Sequence, residues 1–258
     1  MHPIWIGYLN FGLVSIPIKL FSAVKEKEMK FHLFHKKDLG KIRFARICEK
    51  DEAEISWDDV IKGFEYKKNK FVYLDDSDFQ KVNLHKANSI DVLDFVSEKE
   101  IDTILYEKPY FLAPGKNEKP YQLLLEGLKE TKKVAIASFV LHGKQHVAVI
   151  KPFSKILVLI QMRYLEEIKS FSFIEFKKRE KSKKEINIAI KFIEELTKKF
   201  NPKEYKDTYM KDLKKLILKK SKGKKIISFG KSPTSSKEHD ISFLLEKSLK
   251  LKKRKSLN

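Results

Sequence analysis

The chain has 258 residues, with 55 Lys and Arg against 35 Asp and Glu and a formal charge of +20. That length can bury one good-sized core plus satellite elements, and the excess charge makes a polyanion the first partner to consider. A single cysteine, Cys48, excludes an internal disulfide and a thiolate metal cluster, and no apolar run approaches the roughly 18–20 residues of a membrane helix.

The start, Met1-His2-Pro3-Ile4-Trp5, lacks the basic-then-apolar pattern of a secretory leader, so the expected location is the cytoplasm. Charge is unevenly spread: residues 183–258 hold 23 Lys and Arg against 9 Asp and Glu, a balance of +14. Residues 1–182 keep only +6.

In chain order, the first 165 residues read mainly as strands, because apolar, β-branched and aromatic residues recur in short runs between turn residues. Ile4–Leu9 and Val14–Leu20 come first, with Pro17 placing the second at an edge or a strand start. Phe31–His35 and Ile42–Ile47 flank Lys36-Lys37-Asp38-Leu39-Gly40-Lys41, which reads as a basic hairpin with Gly40 at a positive-φ position. Its mixed alternation suits an arm projecting from a core better than a core strand. Ser56 is placed to start a short helix at Trp57.

Further strands are expected at Phe71–Leu74, Ser89–Phe95, Tyr110–Ala113, Val134–Leu141, His146–Ile150 and Ile156–Met162. The last three follow in quick succession, so a meander closing a barrel is the natural architecture. Between them, Asn117 is placed to cap a helix with Pro120 in its first turn and Tyr121, Leu124, Leu125 and Leu128 on one face. After a charged connector at 177–184, Ile186, Ala189, Ile190, Ile193 and Leu196 predict a helix over 184–199. Asn201-Pro202 is a stop and a restart for a second helix over 203–222 that ends at Gly223. Residues 231–237 have linker composition, Ile241, Leu244, Leu245 and Leu249 form a short amphipathic segment, and the end is basic. No internal repeat is evident.

Signatures of catalysis are missing. There is no phosphate loop, no His-Glu-x-x-His and no Gly-x-Ser-x-Gly, and the histidines have no zinc spacing. Neither a metal nor a cofactor is expected. The Asp58-Asp59, Asp75-Asp76-Asp78 and Asp91-Asp94 groups keep open a metal-dependent nuclease, although Asp at turns and helix starts commonly serves backbone N–H groups. An RNA- or ribosome-associated basic protein is a third reading of the charge.

Whole stretches carry a more specific signal. IWIGYLNFGLVSIPIKLFSAV (4–24), FHLFHKKDLGKIRFARIC (31–48), VIKGFEY (60–66), IDVLDFV (90–96), YEKPYFLAP (106–114), VAIASFVLHGKQHVAVIKPF (134–153), FNPKEYKDTYMKDL (200–213) and, weakly, DISFLLEKSL (240–249) resemble bacterial Ku proteins in colinear order. The resemblance implies an α+β fold: a mainly antiparallel β-barrel core over 1–182, with a DNA-encircling arm at 30–75. A helical region at 183–224 and a linker with a basic tail at 225–258 would follow.

It also implies a non-enzymatic homodimer whose arms form a ring on double-stranded DNA ends, reading phosphates rather than sequence, for repair of double-strand breaks by non-homologous end joining. The implied partner is an ATP-dependent DNA ligase, ligase D, and the implied location is cytoplasmic and nucleoid-associated, with no membrane. On the arm, Lys36, Lys37, Lys41, Arg43 and Arg46 become the expected phosphate contacts, followed by Lys62, Lys67 and Lys68. Ile241, Leu244, Leu245 and Leu249 become the expected ligase contact. Many family members carry Cys-x-x-Cys in the arm; here Cys48 is followed by Glu49, Lys50 and Asp51, which removes any metal or redox role for that pair.

Overall fold

The computed structural model describes residues 2–25, 29–83, 88–175 and 182–223. The chain divides into two compact units, Met1–Phe171 and Ser172–Asn258.

In the first unit, β1 (Trp5–Phe11) turns at Gly12, φ +57°, into β2 (Val14–Ser22). Between β2 and the next barrel strand lie β3 (Lys62–Lys67) and β4 (Lys70–Leu74), within the span expected for the arm, and then α1 (Asp76–Asn83). Then come β5 (Ser89–Ser97), β6 (Tyr106–Pro114), α2 (Lys119–Thr131), β7 (Lys133–Leu141), β8 (Lys144–Phe153) and β9 (Ile156–Met162). Seven of these strands close a barrel in the order β1-β2-β6-β9-β8-β7-β5. The β7–β8 turn has positive φ at both His142 and Gly143, which matches the right-handed twist of the strands it joins.

Closure comes from the barrel's one parallel pairing, Tyr8–Asn10 of β1 beside Ser89–Asp91 of β5. This seam has a side-chain stitch: Asn10 Nδ2 donates to Asp91 Oδ1 at 2.8 Å, and Ser89 Oγ donates to Asp91 Oδ2 at 3.0 Å. Gly7 lies beside it because the Trp5 ring crosses its backbone; a Cβ there would meet Trp5 Cη2 and the Asn88 carbonyl at 2.4 Å. Neither the parallel pairing nor the stitch was expected from the sequence.

Period-two alternation fills the interior. Ile16, Ile18 and Leu20 of β2, Leu9 of β1, Ile150 of β8 and Leu157 and Leu159 of β9 are buried in one cluster. Tyr121, Leu124, Leu125 and Leu128 of α2 join it, as their helical spacing predicts. Tyr121 does more than pack. Its hydroxyl donates to the Leu112 carbonyl at 2.6 Å and accepts from the Leu157 N–H at 2.7 Å, bridging β6 and β9 where their ladder ends.

Several local expectations are corrected. Pro17 is neither at an edge nor at a strand start: β2 lies between β1 and β6, and Pro17 sits where the β6 ladder, beginning at Ile18, has run out. Its missing N–H therefore removes no rung, while its carbonyl accepts from Gly115 at 2.7 Å. Asn117 does not cap α2; the cap position is Glu118, with no side-chain bond, and the proline in the first turn holds. Asn201 caps only a 3₁₀ turn at Pro202–Glu204.

In the second unit, α3 spans Lys183–Leu196 and α4 spans Thr208–Ser221. The cap of α4 is Asp207, which accepts from Met210 N–H at 2.9 Å, so the helix starts five residues after the expected 203. Among the described residues no helix is long and apolar enough to cross a membrane.

Candidate nucleic-acid interface

Between Met29 and Phe79 no described residue is buried. A segment of that length without a core must take its shape from turns and side-chain bonds.

The expected hairpin 31–47 is not a pair of regular strands but one antiparallel turn closed by a single bridge, Phe34 with Lys41, and a second turn, closed by Ile47 with Glu54, follows it. The two share one plan, displaced by thirteen residues (35 to 48, 39 to 52, 40 to 53). In the first, His35 N–H donates to Gly40 O and Leu39 N–H to His35 O; in the second, Cys48 N–H donates to Ala53 O and Glu52 N–H to Cys48 O. Leu39 and Glu52 carry the positive φ, +59° and +57°. The left-handed position is thus Leu39 and not Gly40, whose N–H donates to Asp38 Oδ1 at 2.9 Å. Ala53 N–H binds Asp51 Oδ1 in the same way, at 3.3 Å.

This is an internal repeat that the sequence conceals, since across 33–42 and 46–55 only Lys37-Asp38 with Lys50-Asp51 and Ile42 with Ile55 are shared. Each aspartate holds its turn as a carboxylate. The Gly40 N–H and then His35 hold the Asp38 carboxyl below its ordinary range, and the Cys48 thiol and then the Ala53 N–H do so for Asp51. Charge separates the twins. The first carries Lys36, Lys37 and Lys41 around Asp38; the second carries Glu49, Asp51, Glu52 and Glu54 around Lys50.

The eight expected phosphate contacts fall into two groups. Arg43 Nη2 lies 3.8 Å from Glu54 Oε2. Arg46 lies over the Trp57 ring, 4.8 Å from its centroid, and its Nε donates to Ile55 O at 3.3 Å. Lys62 Nζ is 3.4 Å from Asp76 Oδ1 and 4.8 Å from the Phe79 ring centroid. By contrast, Lys36, Lys37, Lys41, Lys67 and Lys68 have no ion-pair or hydrogen-bond partner for their ammonium groups among the described residues. Lys67 and Lys68 lie at the β3–β4 turn, where Asn69 takes φ +59° and its N–H is held by Glu65 Oε1 at 2.7 Å. Lys70 completes that tip as the cross-strand partner of Lys67.

The arm also leaves large rings in solvent, including Phe44 at 86%, Trp57 at 68% and Tyr73 at 66% exposure. Exposed apolar surface of this density marks an interaction face. Ile241, Leu244, Leu245 and Leu249 lie outside the described residues.

Four aspartates of the nuclease reading, Asp75, Asp76, Asp78 and Asp91, are occupied locally. Asp91 serves the barrel seam, and Asp75 and Asp78 cap the start of α1 reciprocally, each backbone N–H donating to the other's carboxylate at 3.2 and 3.0 Å. The bond from Ser77 and then that from Asp78 N–H hold the Asp75 carboxyl low. Asp58, Asp59, Asp75 and Asp76 do line a cleft of about 330 Å³ with Lys62, yet among the described residues no three His, Cys, Asp or Glu side chains converge as metal ligands would.

Comparison with known proteins agrees with the architecture. Residues 10–188 match the family described as the Ku70/Ku80 beta-barrel domain. The chain is 34% identical over 254 residues to the non-homologous end joining protein Ku of Bacillus subtilis, covering 96% of this chain and 82% of the relative. A protein of the same name from Archaeoglobus fulgidus is 34% identical over 234 residues, 88% and 91% of the two chains. That of Coxiella burnetii is 31% identical over 262, 98% and 96%.

Proposed function

Because this chain belongs to the Ku family, we propose that it binds the ends of double-stranded DNA, without regard to sequence, in repair by non-homologous end joining. Two subunits close a ring around the duplex through their arms. The observation that carries this reading is an arm with no buried residue, tipped by lysines that have no partner within the described chain. Lysines so placed suit phosphates, which position a duplex without reading its bases.

The homodimer draws support from the exposed rings. A two-stranded sheet such as β3–β4 is marginal alone in water, and Phe64 and Tyr73 lie on its opposite faces at 65% and 66% exposure. A second copy covering one face leaves the other for the duplex. The protein itself is a scaffold and not a catalyst, in keeping with the local bonds of Asp75 and Asp91. Its ligation partner is an ATP-dependent DNA ligase, ligase D, reached through the segment containing Ile241, Leu244, Leu245 and Leu249. The division of labour follows the core at 1–182 with its arm, the helical region at 183–224 and the basic tail at 225–258. Its place is the cytoplasm, at the nucleoid.

The test is topological. A preformed ring mounts only at an end, so linear duplex should be bound and covalently closed duplex of the same sequence should not. Equal binding to both would overturn the ring.

A further inference from the structure

The arm's cations do not do one job. We infer that Lys36, Lys37 and Lys41 on the first turn, with Lys67, Lys68 and Lys70 on the β3–β4 turn, are the phosphate contacts, whereas Arg43, Arg46 and Lys62 position the arm. This rests on the DNA-binding reading above and adds to it the residues that make the contacts and those that do not.

Three observations carry it. The first is the presence or absence of partners. An ammonium group without a carboxylate beside it is free to exchange its counterions for a phosphate, while a paired one must first break its own bond. All six turn lysines are unpaired among the described residues. The second is what the other three hold. Arg43 reaches across to Glu54 of the acidic twin turn, Arg46 ties that turn's closing segment through Ile55 O and stacks on Trp57, and Lys62 joins β3 to the start of α1 through Asp76 and Phe79. In a segment with no buried residue, such bonds take the place of a core. The third is the twin turn itself. The same backbone plan, with the same Lys-Asp pair at its centre, carries Lys36 and Lys41 where the twin has Glu49 and Glu54, and Leu39 where it has Glu52, so the plan is a way of turning the chain and the phosphate specificity resides in the side chains placed on it. Lys70, absent from the sequence-based set, enters because the β3–β4 register brings it opposite Lys67.

The two roles separate in a salt titration of linear duplex binding by the full-length protein. Removing one phosphate contact lowers the slope of log K against log salt by about 0.9, which is about 3.5-fold less loss of affinity between roughly 50 and 200 mM salt. Lys41→Gln and Lys68→Gln should each lower the slope by about that amount, and Lys41→Arg should restore it. Arg46→Gln should weaken binding by about 2- to 5-fold at every salt concentration with the slope unchanged. Arg46→Lys, which keeps the charge but loses the planar stack and the Nε–H bond, should be no better than Arg46→Gln.

Two results would overturn the assignment: an unchanged slope in both lysine variants, or a lowered slope in Arg46→Gln that Arg46→Lys restores. The end requirement is read separately, from closed against linear duplex with the unaltered protein. Failure there removes the ring and leaves the residue roles to the slopes.

Discussion

The barrel and the arm differ in residues and in what holds them: the barrel strands carry few charges, the arm many. In the barrel, Leu9, Ile16, Leu20, Ile90, Leu112, Ile150, Leu157 and Leu159 are wholly shielded from water, and the strands close on themselves. In the arm nothing is buried, and shape comes from twin aspartate-held turns and from cations braced on carboxylates, carbonyls and rings. A region with its own core is stable on its own account. A region without one depends on such local bonds, and the exposed rings and unpaired lysines coincide there.

The sharpest way to break this contrast is to truncate a large apolar side chain in each region. Ile150→Ala should destabilise the protein by about 2–5 kcal/mol in denaturant unfolding, because the barrel cannot collapse around the void. Phe44→Ala, in a residue 86% exposed, should leave the free protein within about 0.5 kcal/mol. A large loss from Phe44→Ala would mean that the arm has a core after all.

Next in size is Tyr121→Phe. It leaves the Leu112 carbonyl and the Leu157 N–H without their buried partner, a loss of about 1–3 kcal/mol in the same measurement. An effect of at most similar size is expected at the seam, where Asp91→Ala removes two part-buried bonds worth about 0.5–1.5 kcal/mol each. Faster hydrogen exchange along Tyr8–Asn10 and Ser89–Asp91 should mark the site, and unchanged exchange there would remove the seam from the account.

The smallest effect distinguishes the arm by pH. Asp38 and Asp51 have carboxyls held below their ordinary value of 3.8, so their contribution is complete above that value and fades as pH falls through the lowered ones. The amide signals of Gly40 and Ala53 should therefore hold steady from neutral pH down to about 4 and move together only below it. Movement near neutrality would assign the turns to some other group.

How far the sequence reached follows the same division. Alternation placed the strands of the barrel and the inward face of α2, because burial imposes a period that residue type records. It did not foresee the parallel β1–β5 closure, since Tyr8–Asn10 pairs with a strand some eighty residues away through no local signal. In the arm the expected hairpin lacks regular strands and is followed by a second turn of the same plan, and the left-handed position is Leu39 and not Gly40. The positive residues were visible as a cluster, but their partners were not: Glu54, Trp57, Asp76 and Phe79 are brought to Arg43, Arg46 and Lys62 only by the folded turns. Resemblance identified the arm as a place, and geometry divided the residues within it.

The most direct test of encirclement is to load the protein on a linear duplex, block both ends with a bulky cap and then raise the salt. Phosphate contacts alone weaken steeply with salt, whereas a closed ring cannot leave a capped duplex. A closed ring should be retained on capped DNA and released when one cap is cut away; equal release from capped and uncapped duplex would contradict encirclement.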